Sequence, residues 1–134
     1  MKHQKGSDIF YTLPGGGQNH NEDMHSTLIR ECLEEAGVEI TIKELVLVRD
    51  YIANNHQFAD QDPDFHQVEL MFLCDINNPE NFHPQTEPDT YQIGMDWLPV
   101  QELENYRIFP LNMRKSLIQI HNKIDSPIYL GDIY

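Results

Sequence analysis

Two periods of apolar and polar residues alternate along this chain, and the change from one to the other marks its elements. Ile9-Phe10-Tyr11-Thr12-Leu13 reads as a short strand that stops at Pro14-Gly15-Gly16-Gly17. Leu28, Ile29, Cys32, Leu33 and Ala36 then recur at three- and four-residue intervals, which predicts one amphipathic helix with these side chains on its buried face. Asn21 or Asp23 can cap its start, and Gly37 can close it in the left-handed conformation. From Val38 to Ala53 the pattern predicts one or two strands (Ile40, Ile42, then Leu45 to Val48). Phe65 to Ile76 is the clearest later strand, with Val68, Leu70, Phe72 and Cys74 alternating against Gln67, Glu69, Met71 and Leu73. Both of its faces are largely apolar, so it is expected at the centre of a covered sheet. Asn77 to Gln92, rich in Pro, Asn, Asp and Glu, predicts a loop. Gly94 to Pro99 predicts a returning strand and Val100 to about Tyr106 a short helix. Pro110 suits the first turn of a second amphipathic helix carrying Leu111, Met113, Leu117, Ile118 and Ile120.

At 134 residues the chain reads as a single domain, 1–134, with a C-terminal tail from residue 123. Its 22 acidic against 9 basic side chains give a net charge of -13. That balance argues against a nucleic-acid polymer as partner, because holding a phosphate backbone calls for Lys and Arg patches. The longest basic run is Arg114-Lys115. No stretch is long and apolar enough to span a membrane, and no signal-peptide pattern opens the chain. Cys32 and Cys74 lack metal-ligand spacing and read as core thiols, so a reducing cytoplasm is the expected compartment.

The acidic charge is not evenly spread. Glu31, Glu34 and Glu35 are neighbours on one helix, where like charges repel, and such a cluster suggests a positive occupant. Oxygen-only donors suit hard cations such as magnesium, manganese or calcium. Around the cluster stand Gly16, then Glu22, then Arg30-Glu31-Cys32-Leu33-Glu34-Glu35-Ala36-Gly37-Val38. This spacing resembles the Nudix box of hydrolases that cut diphosphate bonds with divalent metal ions. Every fixed position is filled, with Cys32 and Val38 as the apolar members. The order of elements is similar to that family over about residues 1 to 122. It implies an α/β (α+β) fold of the Nudix type, an α/β/α sandwich with a mixed sheet. The family also carries a strand or hairpin before the Leu-Pro-Gly-Gly loop. Met1 to Lys5 reads as the tail of that strand, so part of the N-terminal strand region is expected to be missing. Either Met1 is an internal methionine or the tail Pro127 to Tyr134, rich in β-formers, supplies a replacement strand, and an uncovered edge would favour pairing with a second copy as a homodimer.

The resemblance implies roles. Glu31, Glu34 and Glu35 would bind Mg2+ or Mn2+, joined by the Gly15 carbonyl and, as an outer or water-mediated ligand, Glu22. Arg30 would hold carboxylates in place by forked hydrogen bonds. The base that activates water would be Glu31 or a loop acid, Glu87 or Asp89, with Glu69 as a further candidate. The substrate class implied is a nucleoside diphosphate linked to another group: a nucleoside triphosphate, nucleotide sugar, ADP-ribose or dinucleotide. Tyr51, Phe58, Tyr91 and Phe109 are candidates to stack on a base, although aromatics so placed more often pack. His20, His25, His56, His66 and His83 form no tight ligand pattern and read as solvated. The alternative is a non-catalytic nucleotide-sensing domain of the same fold, which loss of box glutamates would favour; none is lost.

Overall fold

A computed structural model of the chain describes residues 1–56, 59–60 and 62–134; Phe58 therefore lies outside the described residues. The elements are β1 (Lys2–Lys5), β2 (Asp8–Tyr11), α1 (Met24–Ala36), β3 (Ile40–Ile52), β4 (His66–Ile76), β5 (Gln92–Gly94), α2 (Met113–His121) and β6 (Tyr129–Asp132). Short 3-10 helices occupy Ala53–Asn55 and Val100–Asn105. The class is α+β, with the strands in two three-stranded sheets ordered β2-β1-β5 and β4-β3-β6. The chain divides into two compact units, one of residues 1–43 and 74–97, the other of residues 44–73 and 98–134.

In the first unit β1 and β2 form an antiparallel hairpin, with Lys2 opposite Tyr11 and Lys5 opposite Asp8. A hairpin thus precedes the glycine loop. β5 adds antiparallel to the other side of β1. Met1, Ala36 and Val38 form the buried centre, with Ile40, Ile76 and Met95 packed against it. Cys32 is also buried, and burial pushes the pKa of its thiol up to about 12, away from the reactive thiolate form.

The predicted face of α1 needs correction. Cys32 and Ala36 are buried as expected, but Ile29 and Leu33 remain 47% and 40% exposed while Glu35 is only 3% exposed. The buried arc is rotated towards Glu35 because that carboxylate finds a backbone donor inside, Gly15 N–H at 3.1 Å. The returning strand is also shorter than predicted and ends at Gly94. Beyond it Met95 turns into the core and Asp96 is drawn onto Tyr11 Oη (2.9 Å) and Lys2 Nζ (2.9 Å), while Pro99 has no N–H to give a ladder.

In the second unit β3 is the middle strand and β6 pairs with it in parallel, Val48 opposite Tyr129 and Asp50 opposite Asp132. The tail thus becomes a strand, but its partner is β3 and not the N-terminal hairpin. β4 lies at the edge among the described residues, not at the centre, and Val68 stays 58% exposed. Apolar residues on both faces predict a central strand, but among the described residues β4 has only β3 as a sheet neighbour. Leu47 and Met113 are fully buried. α2 starts at Met113 and not at Pro110: the Pro110 carbonyl accepts from Met113 N–H at 3.1 Å in a tighter turn, and the Arg114 guanidinium takes the Leu111 carbonyl at 2.8 Å.

Candidate active site

Local signals fix α1 at both ends. Asp23 Oδ1 accepts the Ser26 N–H at 2.7 Å, which caps the start. At the other end Val38 N–H bonds the Cys32 carbonyl (3.1 Å) and Gly37 N–H the Leu33 carbonyl (3.0 Å), the paired closure of a helix by a left-handed residue. Gly37 has φ +64, and a Cβ there would lie 1.9 Å from the His83 carbonyl oxygen, so only glycine fits.

The last carbonyls of the helix are satisfied by the 77–92 loop. His83 N–H bonds the Gly37 carbonyl (2.8 Å), Thr86 and Glu87 N–H both bond that of Glu34 (2.9 and 3.3 Å), and Gln92 Nε2 bonds that of Glu35 (3.0 Å). These caps carry Glu87 and Asp89 to the C-terminal turn of the helix. Gln92 and Thr86 were not singled out from the sequence; only their position in a polar loop after a helix without its own C-terminal basic residue hints at them.

The box side chains gather on the guanidinium of Arg30. Its Nε and Nη2 form a fork on Glu22 (2.9 and 3.0 Å), Nη2 also donates to the Gly17 carbonyl (3.1 Å), and Nη1 donates to Glu31 (2.8 Å) and Glu34 (2.9 Å). Glu22 further accepts from Asn19 N–H (3.0 Å) and Thr27 Oγ1 (2.9 Å). Arg30 and these donors hold the Glu22 pKa down at about 2, and the three carboxylates in turn raise that of Arg30. Thr27 is another contributor, and nothing in the helix periodicity singles it out.

The glycine loop meets the same acids. A Cβ built on Gly16 would fall 2.4 Å from Glu31 Oε1 and 2.6 Å from its carboxyl carbon, so this carboxylate rests against bare backbone. Glu35 faces the other way, taking the Gly15 N–H and a hydrogen bond with Asp89. Burial pushes its pKa up to about 7; the nearby carboxylates of Asp89 and Glu31 add to the rise and the Gly15 N–H opposes it.

The structure therefore brings Glu22, Arg30, Glu31 and Glu34 into one network, and Gly15, Glu35 and Asp89 into a second. Glu87 meets α1 through its backbone and exposes its side chain. Glu69, in the other unit, is held by Arg49 at 2.7 and 2.6 Å. Tyr51 and Phe109 pack on Tyr134 (ring centroids 5.9 and 5.0 Å), as aromatic side chains commonly do, while Tyr91 lies under Lys5 Nζ. His56 pairs with Asp132, His66 with Asp50 and His83 with Glu39, so none of these three is simply solvated. Among the described residues no three His, Cys, Asp or Glu side chains stand together ready to hold a metal ion, and no helix is long and apolar enough to cross a membrane. The geometry gives the reason for the first: Nη1 of Arg30 occupies Glu31 and Glu34, and Glu35 is turned to Gly15. The donor set nonetheless suits a hard divalent ion, being all oxygen, clustered on one helix turn, and opposed by a loop stripped of side chains at Gly16.

Residues 1–119 match the family model of the NUDIX domain. The chain is 27% identical over 124 residues to the Xenopus laevis protein nucleoside diphosphate-linked moiety X motif 6, an alignment that covers 84% of this chain and 49% of that protein. It thus spans about half the length of that relative. The solution structure of the E. coli ORF135 protein superposes with a TM-score of 0.58 at 17% identity, covering 94% of this chain and 82% of that one, a likeness of fold.

Proposed function

Because the chain belongs to the Nudix family, we propose that it is a hydrolase that cuts the diphosphate link of a nucleoside diphosphate joined to another group, with Mg2+ or Mn2+ as cofactor. The observation that carries this reading is the placement of Glu31 and Glu34 on one helix turn, with Glu31 against the open backbone of Gly16. The name of the Xenopus relative supports the substrate class.

Glu31, Glu34 and Glu35 would hold the ion, with the Gly15 carbonyl beside them. The ion supplies charge neutralisation at the diphosphate oxygens and a lower pKa for bound water. This chain's own residues do the rest. Arg30 and Glu22 fix the loop on the helix, so that the acids meet the substrate in one geometry. Glu31 takes the proton of the attacking water, and Glu87, delivered to the same end of α1 by its backbone bond to Glu34, is the second candidate for that role. A net charge of -13 repels an anionic substrate, which makes cationic bridging a requirement of binding.

The test is hydrolysis of a panel of nucleoside triphosphates, nucleotide sugars, ADP-ribose and dinucleotides with Mg2+, then Mn2+, against EDTA. Release of a nucleoside monophosphate should need the metal, and Glu34→Gln should lower kcat by about 100-fold or more with the fold retained. A folded wild-type protein silent across the panel, or a Glu34→Gln variant as fast as wild type, would refute the assignment.

A further inference from the structure

The guanidinium of Arg30 is used in two unequal halves. One half is a fork: Nε and Nη2 on the two oxygens of Glu22, at 2.9 and 3.0 Å, with Nη2 also on the Gly17 carbonyl at 3.1 Å. Glu22 is itself pinned by Asn19 N–H and Thr27 Oγ1, so this half is tied to both loop and helix. The other half is the single nitrogen Nη1, which serves Glu31 at 2.8 Å and Glu34 at 2.9 Å. Among the described residues it is the sole hydrogen-bond donor to either of those carboxylates.

From this geometry we propose that Nη1 of Arg30 is the internal counter-cation of Glu31 and Glu34: it neutralises both, and releases both when a divalent ion binds, while the Nε/Nη2 fork on Glu22 stays closed. The proposal rests on the reading that Glu31 and Glu34 are metal-holding acids. A carboxylate oxygen that points its lone pair at Nη1 is not free to ligate, and Glu31 and Glu34 carry too few other partners to resist being withdrawn. The fork has a fixed planar geometry and two further anchors, so breaking it would undo the loop as well. Arg30 is thereby a positioning residue with two functions: a permanent clamp at Glu22, and a removable placeholder that prevents the acids from repelling each other before the ion arrives.

The two halves of one side chain can be watched separately. The protein has four arginines, Arg30, Arg49, Arg107 and Arg114. Labelling them with nitrogen-15 and assigning Arg30 by its loss in Arg30→Lys gives distinct Nε and Nη resonances. Mg2+ is then titrated without nucleotide, with calorimetry on the same sample. Arg30 Nη1 should shift or broaden with the calorimetric midpoint, while Arg30 Nε and the buried Arg49, held by Glu69, keep their positions. Calorimetric Mg2+ binding with Nη1 unmoved overturns the proposal and leaves the hydrolase reading standing. Simultaneous release of Nε and Nη1 overturns it too, because the clamp would then not persist. If no heat of Mg2+ binding is found, the metal part of the hydrolase reading falls and this proposal falls with it.

Discussion

Glu35 makes a prediction that can be read without substrate or metal. The residue is 3% exposed, yet its carboxyl has polar partners inside, Gly15 N–H and the Asp89 side chain. The folded pKa of about 7 lies above the ordinary 4.5, so the folded protein holds a proton that the unfolded chain has lost between those two values. Unfolding in that window releases the proton, and stability therefore falls as pH rises from 4.5 towards 7, with the deficit complete above 7. At about 1.4 kcal/mol per pKa unit the deficit is at most about 3–4 kcal/mol, and solvent reaching the site brings the expectation to about 2 kcal/mol. Glu35→Gln is the matching perturbation, since a neutral amide can accept from Gly15 N–H and donate to Asp89. Urea unfolding in EDTA should show the variant about 2 kcal/mol more stable than wild type at pH 8, with the difference closing by pH 4.5. Parallel stability curves from pH 5 to 8, or a variant less stable at pH 8, would refute the reasoning that burial dominates at this acid.

Two glycines carry further predictions. Gly37→Ala should lose about 3 kcal/mol or more in urea unfolding, combining left-handed strain with displacement of the His83 carbonyl that sits 1.9 Å from the added carbon; a loss below about 1 kcal/mol would mean the loop does not dock there. Gly16→Ala should leave stability nearly unchanged but lower kcat about 100-fold, because the new methyl must push Glu31 from its place, 2.4 Å away. An unaltered kcat in steady-state hydrolysis would remove Glu31 from the reaction.

What could be read from the sequence was what is encoded locally. Asp23 and Gly37 bound α1 by capping chemistry that needs only neighbouring backbone, and the spacing of Arg30, Glu31 and Glu34 puts them within reach of one another on any helix. The rotation of that helix was not local: whether Glu35 or Leu33 turns inward depends on Gly15 and Asp89, partners that no periodicity reveals. β4 failed for a related reason. An apolar strand announces that it wants cover, not which neighbour it gets, and the strand that flanks β3 on its far side is β6, from the far end of the chain.

The same distinction separates membership of the family, which is shown, from the roles proposed for the site residues. The family is shown by the match over residues 1–119, whereas under the proposed function the box positions would address only a diphosphate and a cation. The groups attached to that diphosphate must be met elsewhere, by loop residues whose sequence is unconstrained by the helix. Glu31 and Glu34 are both held by the guanidinium of Arg30. Within the Arg30 network the acids differ in kind: Glu22 accepts from Arg30, Asn19 and Thr27, while Glu31 and Glu34 depend on one nitrogen. A clamp needs the first sort of bonding and a ligand the second, and this contrast in their partners is the basis on which Glu22 is proposed as a clamp and Glu31 and Glu34 as metal-holding acids.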